Sequence, residues 1–313
     1  MMISQRLALA VAALAVTLCA AYFLSTPSPP PSTPRAFHEP SLRVPVPLAE
    51  PERVDASVDL SQVHQATQNM GNPLERSEDL RATYEQFKDS RNAIERHTAY
   101  RAWSACFPTL IAPQGQAISI DILTRSLPAN APNSAARVDA YRSLQARCRN
   151  FSDMTREETL SATRQQQEAS YKDAILSPGE IAAKYLREGD KDGALRVAHA
   201  ILASRDPFAI GSLREFINQY GVLQVDAQMQ TSTERPDLRS LAFLMAACQL
   251  GLECGPASLS ALQMCASMGE CAGSVPDRYL QALPSQADRD ALQTETRRVL
   301  EAIQSGNVKA LGL

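Results

Sequence analysis

The sequence predicts an all-α protein, an irregular stack of helical hairpins stapled by disulfides. One apolar segment and a proline-rich linker precede the stack. Three observations point that way. Apolar residues recur three to four positions apart in successive short runs separated by Gly or Pro, which is the period of a helix face. Aromatics make up 5% of the chain, Gly only 13 of 313 residues, and Ala is abundant; this suits helices packed through small side chains better than a β-sandwich. Of the seven cysteines, Cys19 lies in the apolar N-terminal run and six lie beyond it. An even set of six reads as three disulfides in an oxidising compartment.

Residues 1–6 form a short tail ending in Arg6, and Leu7–Leu24 (LALAVAALAVTLCAAYFL) carries no charge, Gly or Pro. As a helix it is roughly 27 Å long, close to the hydrocarbon thickness of a bilayer. Arg6 precedes the run and no Lys or Arg follows until Arg35, so the tail is expected in the cytoplasm and residues 25–313 across the membrane. An uncleaved transmembrane anchor is the leading reading. Cleavage as a signal sequence is the second, with Cys19 and Ala21 as the small pair, although Tyr22, Phe23 and Leu24 prolong the apolar run. Lipidation of Cys19 is disfavoured by Leu18 before it. The Ala-rich segment and short tail have a bacterial style, which places the chain in the inner membrane with its C-terminal part in the periplasm. After cleavage it would be periplasmic or secreted.

Residues 25–58 read as a linker: STPSPPPSTP is followed by prolines at 40, 45, 47 and 51. Such a segment stays extended and acts as a spacer. The remainder, 59–313, is the expected periplasmic α-helical domain. A short helix is expected at 60–70. A single long helix is expected from Ser77 to Cys106, started by Ser77, Glu78 and Asp79 and striped by Leu80, Tyr84, Phe87, Ile94, Ala102 and Ala105. Pro108 stops it. The connection 107–133 contains prolines at 108, 113, 128 and 132, and its piece AISIDIL (117–123) alternates like a short strand or a buried loop. The next helix, 134–150, has the stripe Val138, Tyr141, Leu144 and Cys148, with Phe151 just beyond. Cys148 therefore faces the core and pairs with Cys106, closing the loop between two helices at about 4 kcal/mol in the chain-entropy model. Trp103, three residues before Cys106, is expected to pack beside that bond. A polar, Gln-rich helix follows at 155–175, then a helix pair at 178–203 whose turn lies between Gly189 and Gly193. Helices at 207–220, 236–250, 256–268 and 285–305 complete the stack.

The segment CQLGLECGPASLSALQMCASMGEC holds two C-x5-C units separated by ten residues. Local pairs, Cys248–Cys254 and Cys265–Cys271, would each clamp a helix C-terminus to the following loop, at roughly 2.4 kcal/mol apiece. Pairing Cys248–Cys265 with Cys254–Cys271 is the open alternative. Pro256 is expected near the first position of the next helix. Structural zinc prefers closer cysteine spacings, and the C-x-x-C of thiol–disulfide exchange is absent from the sequence.

On the residues of this cysteine-rich stretch and its Cys254-Gly255-Pro256 turn, the chain resembles a set of exported, cysteine-paired α-helical proteins of proteobacteria that have no assigned activity; the resemblance implies fold and compartment. The pair at 178–203 resembles one unit of the tetratricopeptide or Sel1-like repeats. Tyr185 and Ala194 stand at the right mutual spacing and Pro207 near the usual end, while Ala182 stands where that family prefers Gly. That likeness implies a concave peptide-binding surface rather than catalysis.

No nucleophile elbow G-x-S-x-G, S-x-x-K, H-E-x-x-H or phosphate-binding G-x4-G-K-[ST] occurs. The histidines His38, His64, His97 and His199 are far apart and read as surface or packing residues. Glu188, Asp190, Asp192 and Gly193 imitate the start of a calcium loop, but Arg196 and His199 occupy its ninth and twelfth positions; a polar turn explains them. Glu157, Glu158, Asp288 and Asp290 read as helix N-terminal acids. No catalytic residue, cofactor or metal is assigned. A formal charge of −3 supplies no basic field for nucleic acid or lipid headgroups. The missing motifs argue against an enzyme, although a fold can assemble distant residues. The expected function is a binding or scaffolding module of the cell envelope, touching the inner membrane through its N-terminal helix and an envelope protein as partner. The alternatives are an envelope hydrolase whose site is not visible in sequence, or an inhibitor or immunity-type protein.

Overall fold

Helices in this chain start where a side-chain oxygen takes up an orphan backbone N–H, and those caps explain most element boundaries. A computed structural model describes residues 73–125, 127, 131, 133–171, 175–227 and 236–313, all within one compact unit spanning 57–313. The apolar run 7–24, the linker 25–58 and the helix expected at 60–70 lie outside the described residues. Among the described residues no helix is long and apolar enough to cross a membrane.

The described regular structure is helical, with one isolated antiparallel bridge between Ile111 and Ala117. In order it comprises α1 (Pro73–Arg76), α2 (Leu80–Phe87), α3 (Ala93–Cys106), α4 (Ile120–Thr124), α5 (Ser134–Cys148), α6 (Arg156–Tyr171), α7 (Pro178–Arg187), α8 (Lys191–Ser204), α9 (Pro207–Ser212), α10 (Arg214–Ala227), α11 (Pro236–Gln249), α12 (Leu259–Met268), α13 (Val275–Ala282) and α14 (Gln286–Ser305), with 3-10 turns at Arg149–Asp153 and Val308–Leu311.

Several expectations are corrected. The single helix from Ser77 to Cys106 is two, because Asn92 caps a new start by accepting from the Ile94 N–H, and the first begins at Asp79 rather than Ser77. AISIDIL is neither strand nor loop throughout: Ser119 caps the short helix α4 within it. The helix expected at 207–220 breaks between α9 and α10, then runs on through Gly221. Ser258, not the region of Pro256, starts α12. The helix α13 was not expected; Ser274 and Asp277 form its capping box, with Pro276 in the first turn.

Two large apolar cores and a smaller cluster of Cys254, Ala261, Met264 and Val275 organise the described residues. The first gathers Tyr84, Trp103, Phe107 and Phe151; Trp103 stacks on Phe107 at 4.0 Å between centroids, and Phe151 meets both edge-on. The Cys106–Cys148 bond lies within this core, on the side where the stripe of the 134–150 helix placed Cys148. The second core is built from α7–α11 and α14, with small buried residues such as Ala182, Ala194, Ala198, Ala242 and Ala246 allowing close helix approach. The remaining cysteines form the local pairs, Cys248–Cys254 and Cys265–Cys271.

Candidate functional site

A cleft of about 880 Å³ opens beside both cores, with walls from α3, α7, the α9–α10 junction, α12 and α13. One close approach joins two of its walls. A Cβ on Gly179 would lie 1.9 Å from the Ser212 carbonyl oxygen, so only glycine lets α7 sit this near α9. The Gly179 N–H donates to Ser212 Oγ at 2.8 Å, fixing that junction.

Glu180 follows directly. Its Oε2 accepts from the Ser177 N–H at 2.6 Å, closing a capping box with Ser177 at the start of α7. The same oxygen lies 3.2 Å from Nδ1 of His97 on α3. Glu180 Oε1 takes no hydrogen bond from the described residues. Burial holds the His97 pKa down at about 4, against the pull of Glu180 and with a push from Arg101. At neutral pH this contact is therefore a neutral imidazole against a carboxylate, not an ion pair. A ring that turns its Nδ1–H toward the carboxylate leaves Nε2 as an acceptor. His97 is 9% exposed, and its Nε2 has no hydrogen-bond partner among the described residues.

A second polar knot closes the neighbouring wall. Glu75 accepts from the Ser260 backbone N–H at 2.8 Å and from Ser260 Oγ at 2.7 Å, and Arg101 approaches it at 3.8 Å. Arg147 donates to the Glu75 carbonyl at 3.2 Å and the Ala257 carbonyl at 2.6 Å, tying α1 and α5 to the loop before α12. Glu253 accepts from the Gly255 N–H and from Arg76, and these bonds hold its carboxyl below the usual range. Opposite, Arg214 donates to the Tyr279 hydroxyl at 3.1 Å, and Glu215 accepts from Gln219. Arg187, in the last turn of α7, is exposed to the cleft and makes no ion pair or hydrogen bond with the described residues.

The cysteines singled out in sequence act as staples around these walls. Cys254 lines the cleft and is joined to the end of α11 through Cys248; Cys265 lies in α12, whose Ser260 and Gln263 line it. Of the histidines, His97 is in the site, His199 on α8 is half-buried with its Nε2 unpartnered, and His38 and His64 lie outside the described residues. The calcium-like turn is a helix start in which Asp190 caps Gly193. Glu158 accepts from the Thr155 N–H at the start of α6, which lowers its pKa. Among the described residues no three His, Cys, Asp or Glu side chains converge as a metal would require. A smaller slot of about 390 Å³ lies between Trp103 and Phe107 of the first core and Gln166 of α6.

Sequence reasoning missed His97, Glu180, Glu75 and Arg101 as neighbours. One local signal existed: Glu180 and Arg187 stand seven residues apart on a helix, which puts them on one face. The chain matches no protein-family model, no curated protein and no solved structure.

Proposed function

We propose that this chain is a membrane-anchored, periplasmic binding module of the cell envelope, and that its ligand enters the cleft between α3, α7 and α12. The supporting observation is the cleft's chemistry. Its size suits a small molecule or a short chain segment, and it combines a buried imidazole acceptor, a half-used carboxylate and an unpaired guanidinium. A site-specific cross-link tests the reading. A photoreactive residue replaces Gln263 in the full chain, with exposed Arg164 as control, and cells are irradiated. A discrete adduct from position 263 and none from 164 is expected; no adduct from 263, or equal labelling from both, contradicts it.

A second reading, a hydrolase of envelope polymer or peptide, is favoured by His97 standing against Glu180 in the cleft. An imidazole whose pKa is near 4 is a weak proton acceptor at neutral pH. Among the described residues no hydroxyl or thiol bonds to it. Binding is therefore the reading preferred here.

A further inference from the structure

Three groups of the cleft that lack partners among the described residues lie along one helix. His97 Nε2 and Glu180 Oε1 are acceptors at one end of α7, and the Arg187 guanidinium is a donor at the other. Glu180 and Arg187 share a helix face because seven residues are close to two full turns, and the rise between them is about 10 Å. Other cleft charges largely cancel. Glu75 faces Arg101, Glu253 is held by Arg76, and Arg214 and Glu215 are adjacent and of opposite sign. What is left is negative at the His97–Glu180 end and positive at Arg187.

We propose that the cleft takes a short zwitterion, a free peptide of about three residues, with its ammonium held by His97 and Glu180 and its carboxylate on Arg187. This deepens the binding reading and rests on it. The length follows from geometry: an extended residue advances about 3.3–3.6 Å, so three residues match about 10 Å. The chemistry follows from the donor set. A neutral imidazole nitrogen and a carboxylate oxygen both accept, as an ammonium requires, and a guanidinium pairs with a carboxylate through two parallel N–H bonds.

The test is calorimetric titration of the full chain in lipid nanodiscs, disulfides intact, with trialanine, its N-acetylated form and its C-terminal amide, together with dialanine and pentaalanine. Trialanine should bind best, and blocking either end should weaken binding at least tenfold. Glu180 also caps its helix, so the variant of choice is exposed Arg187→Gln. It should bind trialanine about tenfold more weakly, lose discrimination against the amide and keep discrimination against the acetylated form. Equal affinity for free and blocked peptides, no binding at any length, or an unaltered profile in Arg187→Gln overturns the proposal. If a cross-link still forms from position 263 while trialanine fails to bind, the cleft remains a binding site and only the zwitterion is wrong.

Discussion

Burying the His97 imidazole against Glu180 sets a specific pH dependence. Its folded pKa is near 4, below the ordinary 6.5. As pH falls from 6.5 toward 4 the unfolded chain takes up a proton that the folded chain does not, so stability declines across that window by on the order of 3 kcal/mol. Glu253 and Asp277, whose carboxyls are held low by hydrogen bonds, begin to lose their contributions near their ordinary values of 4.5 and 3.8, at the foot of that window, and lose the rest below it. Urea unfolding at pH 7 and at pH 4.5 should show the decline, and His97→Gln should flatten it; an unchanged slope in the variant would refute this origin. Arg278 is the other residue whose environment dictates an outcome. Only 2% exposed, its guanidinium donates to the carbonyls of Ala261, Gly273 and Cys271, and burial lowers its pKa. Arg278→Met keeps volume but leaves buried carbonyls unpaired, so a thermal melt should show a loss on the order of 3 kcal/mol. Neither role was legible in the sequence. A lone His or Arg on a helix carries no local sign of partners that come from other elements.

Helices, by contrast, were largely legible where apolar period and cap agreed. The α7–α8 hairpin was readable because Ser177, Pro178, Gly189 and Asp190 punctuate it. The breaks at Asn92 and between α9 and α10 were not: Phe87 and Ile94 stand seven residues apart across the first, which only the Asn92 cap marks, and the second is the single residue Leu213. Two element-scale outcomes follow from packing. Replacing Gly179 by Ala places a methyl group against the Ser212 carbonyl, where backbone must yield. A stability loss of about 2–3 kcal/mol is expected, measured by chemical denaturation, and no loss would mean α7 and α9 are not so closely joined. Replacing Cys106 and Cys148 together by Ala opens a closure of 42 residues and should cost about 4 kcal/mol, more than either local pair, at roughly 2.4 kcal/mol each. The cysteine pattern was legible for a physical reason. Helix phase placed Cys148 on a core face and Cys106 at the end of the preceding helix, and the short C-x5-C spacing lets a helix end reach its own following loop.

At the scale of the whole molecule, the two apolar cores and the cleft beside them depend on those bonds. The Cys248–Cys254 bond fixes a wall of the cleft and the Cys265–Cys271 bond secures the end of α12. Such bonds persist where thiols oxidise, which is the compartment that the apolar segment 7–24 implies. The cleft itself was not legible, because its walls come from residues as distant as Glu75 and Ser260; only their three-dimensional convergence creates it. The most direct measurement is disulfide mapping by mass spectrometry on the full chain, trapped with an alkylating agent in intact cells. Linked peptides joining Cys106 to Cys148, Cys248 to Cys254 and Cys265 to Cys271 are expected. Six alkylated, reduced cysteines would contradict the oxidising compartment, and bonds joining Cys248 to Cys265 would contradict the fold that shapes the site.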